Sequence, residues 1–422
     1  MTPDRAPGRL EGWKQIAGFF GKADRTVQNW EKHFGLPVRR DPTGAVYADV
    51  LELKKWQASA PVGEVLEREP RTRNRKLYWL AAGMLLAIAG AFLWLPRVWR
   101  GPGAASSRPV AFQVGYDTLT VSDADGRPLW SKRFPSSLWP DFYHGMGKQD
   151  RPPVWIGNLD HDPGIETLFL YYPASREKTG TALICFNERG DEKWRFQPGV
   201  PVATASQQFS PLHIATTFAV APFQPGDGPR ILITSHHLFE HPNRFVVLDS
   251  DGMLLNQYWH SGHLEHLDVG DLEGDGVPEI LLGGVNNAEN AATVVVLDPA
   301  NVYGASVPRQ KQDYRFPGLA AAREKAVILF PRSCINRRFE RFNKVRLLSV
   351  AGGTLRVNVQ ERDGDGECEA IYTFDGSLRP TGVVLSVRYQ NLHLEMENRG
   401  ELKHSFTDAE VTALEDVRVL RP

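Results

Sequence analysis

Residues 77–96 read LYWLAAGMLLAIAGAFLWLP and contain no Asp, Glu, Lys, Arg, His, Asn or Gln. A helix of about 20 such residues is roughly 30 Å long, the thickness of a bilayer's hydrocarbon core. Tyr78, Trp79 and Trp94 stand near its two ends, where amphipathic rings favour the lipid–water interface. A helix of a soluble core would carry a polar face. A cleaved leader would not follow 76 other residues. The run therefore predicts one transmembrane helix. Its flanks carry Arg68, Arg71, Arg73, Arg75 and Lys76 before it and Arg97, Arg100 and Arg108 after it. Basic flanks resist translocation, so the richer side stays inside. The expected topology is a cytoplasmic N-terminus and an extracytoplasmic C-terminal part, in an inner or plasma membrane of bacterial type.

The segment ahead of the run is short and mildly basic. Residues 1–60 carry ten Lys and Arg against seven Asp and Glu, although the whole chain sums to a net charge of −1. Trp13, Ile16, Ala17 and Phe20 recur at i, i+3, i+4 and i+7, the apolar face of a helix. Gly21 suits its end, and Asp24 suits the N-cap of a second helix. That helix turns Val27, Trp30 and Phe34 inward and leaves Arg25, Thr26, Gln28, Asn29 and Lys32 outside. Side chains of this kind can read base edges and hold phosphates. A Pro-Thr-Gly turn in VRRDPTGAVY predicts a small hairpin bearing Arg39 and Arg40, and Asp49 with Glu52 predicts a capping box opening a third helix.

The run GWKQIAGFFGKADRTVQNWEKHFGLPVRR resembles the winged helix-turn-helix of the MerR/excisionase type. The resemblance implies that Arg25, Thr26, Gln28 and Asn29 enter a major groove, with Lys32, Arg39 and Arg40 on the backbone. One copy would bind DNA weakly, which implies a homodimer or a second partner. The alternative use of such a domain is docking a cytoplasmic protein. Residues 61–76, with Pro61 and Pro70, read as a linker, and residues 97–109 as a Gly/Ser/Pro stalk.

From residue 110 onward the pattern changes to short apolar runs separated by turn residues. DTLTVSDADGRPLWSKRF, TALICFNERGDEKWRF, RFVVLDSDGMLLNQYW and LHLEMENRGELKHSF each read as a strand, an Asp/Asn–Gly turn and a second strand. A second unit recurs with acids at positions 1, 3, 5 and 9. It comprises Asp271, Glu273, Asp275 and Glu279 with the Val277 carbonyl between. Asn158, Asp160, Asp162 and Glu166 repeat it, as do Glu361, Asp363, Asp365 and Glu369. Alternating oxygen donors around a sharp turn suit Ca²⁺ in a loop-stiffening role. The series resembles the FG-GAP/VCBS repeats of integrin-type β-propellers, which implies about six or seven blades over residues 110–422.

Other residue groups point to less. Cys185, Cys334 and Cys368 make no CxxC pair; their place beyond the span allows one disulfide and a free thiol, and three isolated buried thiols are the simpler reading. His260, His263 and His266, and likewise His236 and His237, read as ordinary polar or rim residues. The basic stretch from Arg332 to Arg346 reads as a solvated face. No nucleotide-binding loop, nucleophile elbow or HExxH pattern occurs, so no catalysis is expected. The expected fold class is multidomain: a small α domain with a β wing, one transmembrane helix and an all-β propeller. The function these features favour is a membrane-anchored one-component transcriptional regulator, with DNA as the cytoplasmic partner and a protein or glycan ligand outside. The alternative is a cell-surface binding or adhesion protein.

Overall fold

The computed structural model describes residues 9–20, 27–28, 31, 35–41, 45–59, 108–144, 151–223, 228–238, 241–362, 364, 367–406 and 408–421. Residues 77–96 lie outside these, and no helix among the described residues is long and apolar enough to cross a membrane. The chain divides into two compact units, Met1–Gly103 and Ala104–Pro422.

In the first unit, β1 (Arg9–Glu11) runs into α1 (Gly12–Phe20) through Gly12, whose φ of 73° is open to glycine at little cost. Residues 27, 28 and 31 are helical. Strands β2 (Arg39–Arg40) and β3 (Val46–Asp49) form the hairpin, β1 adds to its far side in the order β1-β3-β2, and α2 (Val50–Ser59) follows. Ile16 and Ala17, from the apolar face of α1, meet Val27, Leu36, Ala48 and Leu53 in one buried cluster. Only half of the capping box forms. Asp49 accepts the Leu51 N–H at 2.8 Å, whereas Glu52 is drawn to Arg39 at 2.6 Å instead of reaching back.

The second unit is mostly β. Its sheets follow one another along the chain: β4 (Ala111–Val114), β5 (Thr118–Ser122) and β6 (Pro128–Arg133) form the first. The next comprises β7 (Val154–Gly157), β8 (Glu166–Tyr171), β9 (Ala182–Phe186) and β10 (Glu192–Phe196). A two-stranded ribbon, β11 (Val202–Ala203) with β12 (Gln208–Phe209), precedes the third sheet. That sheet holds β13 (His213–Ala221), β14 (Arg230–His237), β15 (Asn243–Leu248) and β16 (Leu254–His260). The fourth holds β17 (His263–Gly270), β18 (Glu279–Asn286), β19 (Ala291–Leu297) and β20 (Ala326–Leu329).

After α3 (Cys334–Phe339), the fifth sheet is β21 (Lys344–Ala351), β22 (Thr354–Gln360), β23 (Glu369–Phe374) and β24 (Pro380–Leu385). Helices α4 (Val387–Asn398) and α5 (Asp408–Leu414) come next, and β25 (Arg418–Leu420) returns to the outer edge of the fourth sheet beside β20.

Each sheet packs face to face on its successor. Alternate residues of one strand point to opposite faces, and the cores divide accordingly. Phe169, Ile184 and Phe186 join the first sheet's Leu119 and Val121, while Leu168, Leu170, Leu183 and Cys185 join the third sheet's Ile231, Ile233 and Val246. Leu232, Phe245 and Val247 turn the other way, onto Leu267, Ile280 and Leu282 of the fourth sheet. Val294, Val296 and Ile328 then meet Val357, Val359 and Tyr372 of the fifth. Strands buried on both faces read as continuous apolar runs, which is why ALICF and AATVVVL do not alternate.

Three of the four hairpins read from sequence form, and they share one turn. Asp123, Asn187 and Asp249 each accept the N–H groups two and four residues on, at 2.9 Å throughout for Asp123 and Asn187, and at 3.0 and 2.8 Å for Asp249. The fourth does not form. Residues 392–398 are the end of α4, whose buried residues Tyr389, Leu392, His393 and Met396 stand at i, i+3, i+4 and i+7. The alternation of Leu392, Leu394 and Met396 imitates a strand, but the Ser386 hydroxyl caps the Tyr389 N–H and starts a helix. The corresponding turn of the fifth sheet is at Asp375, where Leu378 holds a φ of 58°.

Five sheets of three or more strands are present among the described residues of the second unit, against the six or seven blades expected there from length. The difference lies in chain spent elsewhere, on the long connection between β19 and β20 and on the helices after β24.

Candidate functional site

Of the residues assigned to DNA, Gln28, Arg39 and Arg40 are described; Arg25, Thr26, Asn29 and Lys32 lie outside the described residues. Gln28 is exposed beside the fully buried Val27, so that helical turn presents its amide outward. Both arginines are exposed on β2, and both have carboxylate partners. Arg39 reaches Glu52 at 2.6 Å, and Arg40 grips Glu31 with two N–H groups at 2.7 and 3.1 Å. Exposed pairs of this kind are weak, so a phosphate could compete for either guanidinium.

The first two acidic loops connect the first two strands of their sheets, and the third connects the second and third strands of the fifth. In the loop of residues 158–166, Asp160, Asp162 and Glu166 offer oxygens within 4.8 Å of one another. Asn158 is occupied in the turn itself, accepting the His161 N–H and donating to the Asp162 and Gly164 carbonyls. Glu166 accepts the Leu159 N–H at 3.0 Å. An ammonium also stands in this loop: Lys193 of β10 contacts Asp160 at 2.6 Å and Glu166 at 3.3 Å. Desolvation works against its charge, but the hydrogen bonds to the two carboxylates outweigh it and hold Lys193 above the ordinary lysine range. The bond from Lys193 in turn holds Asp160 below the usual carboxylate range.

The loop of residues 271–279 repeats the plan. Leu272 N–H donates to Glu279 at 2.9 Å, and Lys325, just ahead of β20, bridges Glu279 at 2.5 Å and Glu273 at 2.9 Å. Asp271 accepts the N–H groups of Gly274, Asp275 and Gly276, and Asp275 accepts that of Val277. Among the described residues, these acids do not gather as those of the first loop do. In both loops a lysine thus sits on the acids at positions 3 and 9, Lys193 from the fourth strand and Lys325 from the residue just before it.

The third loop is arranged differently. Asp363 and Asp365 lie outside the described residues. Glu361 is fully buried and accepts from the Ser333 N–H and the Asn343 amide, and burial raises its pKa. Glu369 faces Asn358 and Arg346.

A calcium ion wants several hard oxygens at 2.3–2.6 Å. The first loop's three carboxylates fit that demand, provided Lys193 swings away. At the second loop, among the described residues, the carboxylates do not converge on one point.

Of the histidines read as polar or rim residues, His236, His237, His260 and His263 are buried and His266 is partly buried, and His213 is buried with them. They stand where strand ends of the third and fourth sheets meet, His213 in register with His237 and Asn243 with His260. Burial, with neighbouring imidazoles, pushes His213 and His260 down to about 3. The His260 Nδ1 accepts the Gly262 N–H at 3.0 Å, which leaves the proton of the neutral ring on Nε2. In the basic stretch Arg337, Arg338 and Arg341 are exposed, while Arg332 turns onto Asn336 and Arg346 lies beside Glu369.

A cavity of about 250 Å³ adjoins this region, lined by His260, Asn286, Glu289, Ser306, Arg309 and Glu324 among others. In its walls His260 Nε2, Glu289 Oε2 and Ser306 Oγ are buried without a hydrogen-bond partner. Burial raises the Glu324 pKa, and Tyr258 donates to its carboxylate at 3.2 Å. Sequence reading missed these residues because the cavity depends on the long β19–β20 connection folding back over strand ends. The two glutamates, Glu289 and Glu324, are 35 residues apart in no recurrent pattern.

No family model matches this chain, and no curated protein matches it. Among solved structures it is similar to a protein of unknown function from Bacteroides caccae, with 11% identity over 67% of this chain and 74% of that one, at a TM-score of 0.30. The Dos1 propeller is similar with 11% identity over 64% of each chain, at a TM-score of 0.31. The V. cholerae biofilm matrix protein Bap1 is similar with 10% identity over 68% of this chain and 71% of that one, at a TM-score of 0.24. Likenesses at these TM-scores carry nothing about activity.

Proposed function

We propose that this chain is a single-pass, membrane-anchored transcriptional regulator, with residues 1–60 binding DNA in the cytoplasm and the β-rich unit binding a ligand outside. The observation that carries the reading is the build of residues 9–59. One core of Ile16, Ala17, Val27, Leu36, Ala48 and Leu53 supports an exposed Gln28 and an exposed Arg39–Arg40 strand. That build suits a winged helix-turn-helix, the arrangement that places amide and guanidinium groups against a duplex. The apolar run of residues 77–96 supplies the anchor, and a homodimer supplies the affinity that one head lacks.

In the β-rich unit, the succession of stacked meander sheets supports an FG-GAP/VCBS-like propeller. Calcium belongs in the loop of residues 158–166, where it stiffens the first two strands of the second sheet. The cavity at His260 suits a small hydroxyl-rich ligand such as a sugar, whose hydroxyl groups both accept and donate. The role is binding, not catalysis.

The test is DNA binding by the full chain across a salt series. Affinity should fall steeply with salt, with a log–log slope of about −0.9 per phosphate contact. Alanine at Arg25, Gln28 and Asn29 together should remove sequence preference. Indifference to that triple substitution would overturn the reading. One observation favours the second reading, a surface adhesin whose N-terminal domain docks a protein: Arg39 and Arg40 already hold carboxylate partners. That reading predicts no preferred operator.

A further inference from the structure

Cys334, His393, His404 and Glu410 each offer one donor atom, and these atoms all lie within 4.8 Å of one another. The four come from different elements. Cys334 opens α3 directly after its N-cap Ser333, and His393 sits on the inner face of α4. His404 lies in the connection that follows, and Glu410 is on α5. The two imidazole Nε2 atoms face each other at 3.3 Å. Glu410 Oε2 lies 2.6 Å from His393 Nε2 and 3.2 Å from His404 Nε2, and Glu410 Oε1 lies 2.6 Å from Cys334 Sγ.

We propose that these four side chains form a structural site for a divalent transition metal of the zinc class. Two nitrogens at about 2.0–2.1 Å from zinc in a tetrahedral site stand about 3.3 Å apart, which is the separation observed. A thiolate, two imidazoles and a carboxylate make a donor set too soft for calcium or magnesium and suited to zinc. Four protein ligands close the coordination sphere, the mark of a structural rather than a catalytic metal.

The surroundings are those of a ligand shell. His393 is fully buried, and its other ring nitrogen lies 2.8 Å from a Glu397 oxygen without being aligned for a hydrogen bond, which places a carboxylate where one commonly orients a metal-binding histidine. Tyr389 donates to Glu410 Oε1 at 2.8 Å, leaving Oε2 for the metal. Metal binding would release the thiol proton of Cys334 and tie α3, α4 and α5 together beside the fifth sheet. The set combines donors 76 residues apart, from Cys334 to Glu410.

The experiment uses the full, untagged chain. Metal analysis after purification should find about one zinc per chain in addition to any calcium. After chelation, cobalt(II) should bind with the visible spectrum of a tetrahedral site and a thiolate charge-transfer band. Cys334→Ser should abolish that band. His404 is half-exposed, so His404→Gln should keep the native circular dichroism while weakening metal binding at least about tenfold, and Glu397→Gln should weaken it about 10-fold or more. Absence of stoichiometric zinc together with no cobalt band would overturn the site. So would a band unchanged in Cys334→Ser, or affinity unchanged in a folded His404→Gln. A protein that fails to bind DNA but shows the cobalt band leaves this site standing, since the two properties rest on different units.

Discussion

Two lysines decide how the acidic loops behave. Lys193 and Lys325 each neutralise two carboxylates, one of which, Glu166 or Glu279, is almost wholly buried. Removing a partner of a buried charge is costly, although both ammonium groups keep over a quarter of their surface exposed. Lys193→Met should therefore lower stability by about 1–3 kcal/mol in the absence of calcium. Added calcium should restore most of the loss, because the freed loop keeps three converging carboxylates. Lys325→Met should lose comparable stability and recover less. Thermal melts with and without calcium measure both, and equal rescue of the two variants would show that convergence does not govern ion binding. The acids at positions 1, 3, 5 and 9 were legible in the sequence. The lysines were not, since Lys193 lies on, and Lys325 just ahead of, a strand that meets the loop only after the sheet is built.

Turns carry the next level of order. The shared turn places an Asp or Asn at its start and a left-handed residue three positions on: Gly126, Gly190, Gly252 and, in the fifth sheet, Leu378. Two of these glycines also seat an indole. A Cβ on Gly190 would lie 2.7 Å from Trp130, and one on Gly252 would lie 2.6 Å from Trp194, each tryptophan belonging to the preceding sheet. Trp194 adds a hydrogen bond to the Ser250 carbonyl at 2.9 Å. Trp130 and Trp194 thus dock the first sheet on the turn of the second and the second on the turn of the third. Gly252→Ala should cost about 1–3 kcal/mol from the left-handed backbone, and more from the collision with the indole. A melting temperature unchanged by this substitution would refute the docking.

Hairpins at 118–133, 182–196 and 244–259 were readable because turn chemistry and apolar runs agree there. The stretch at 392–406 misled because Leu, His, Leu, Glu and Met alternate over a length too short to separate a period of 2 from one of 3.6. The metal-type cluster escaped notice for a related reason: His393 reached it only once that stretch became a helix.

At the scale of the whole molecule, buried histidines make stability depend on pH. His213 and His260 titrate near 3 when folded and near 6.5 when unfolded. Between those values the unfolded chain binds more protons, so their contribution is complete above about pH 6.5 and is lost as pH falls towards 3. Melts of the double variant His213→Gln, His260→Gln should show a shallower loss between pH 6.5 and 4 than the parent chain. An identical pH slope would mean that these rings titrate normally.

The stacking of sheets was partly legible, in runs such as ALICF that must be buried on both faces. Their number was not, because insertions after β19 and β24 consume chain that a length estimate assigns to further blades. The central claim is that residues 1–60 read DNA while anchored by residues 77–96. Genome-wide DNA capture with the intact protein in its own membrane tests it most directly. The account predicts a few enriched sites that share a sequence and vanish in the Arg25, Gln28, Asn29 alanine triple variant. Capture with no enriched sequence, or enrichment that survives the triple variant, would contradict it.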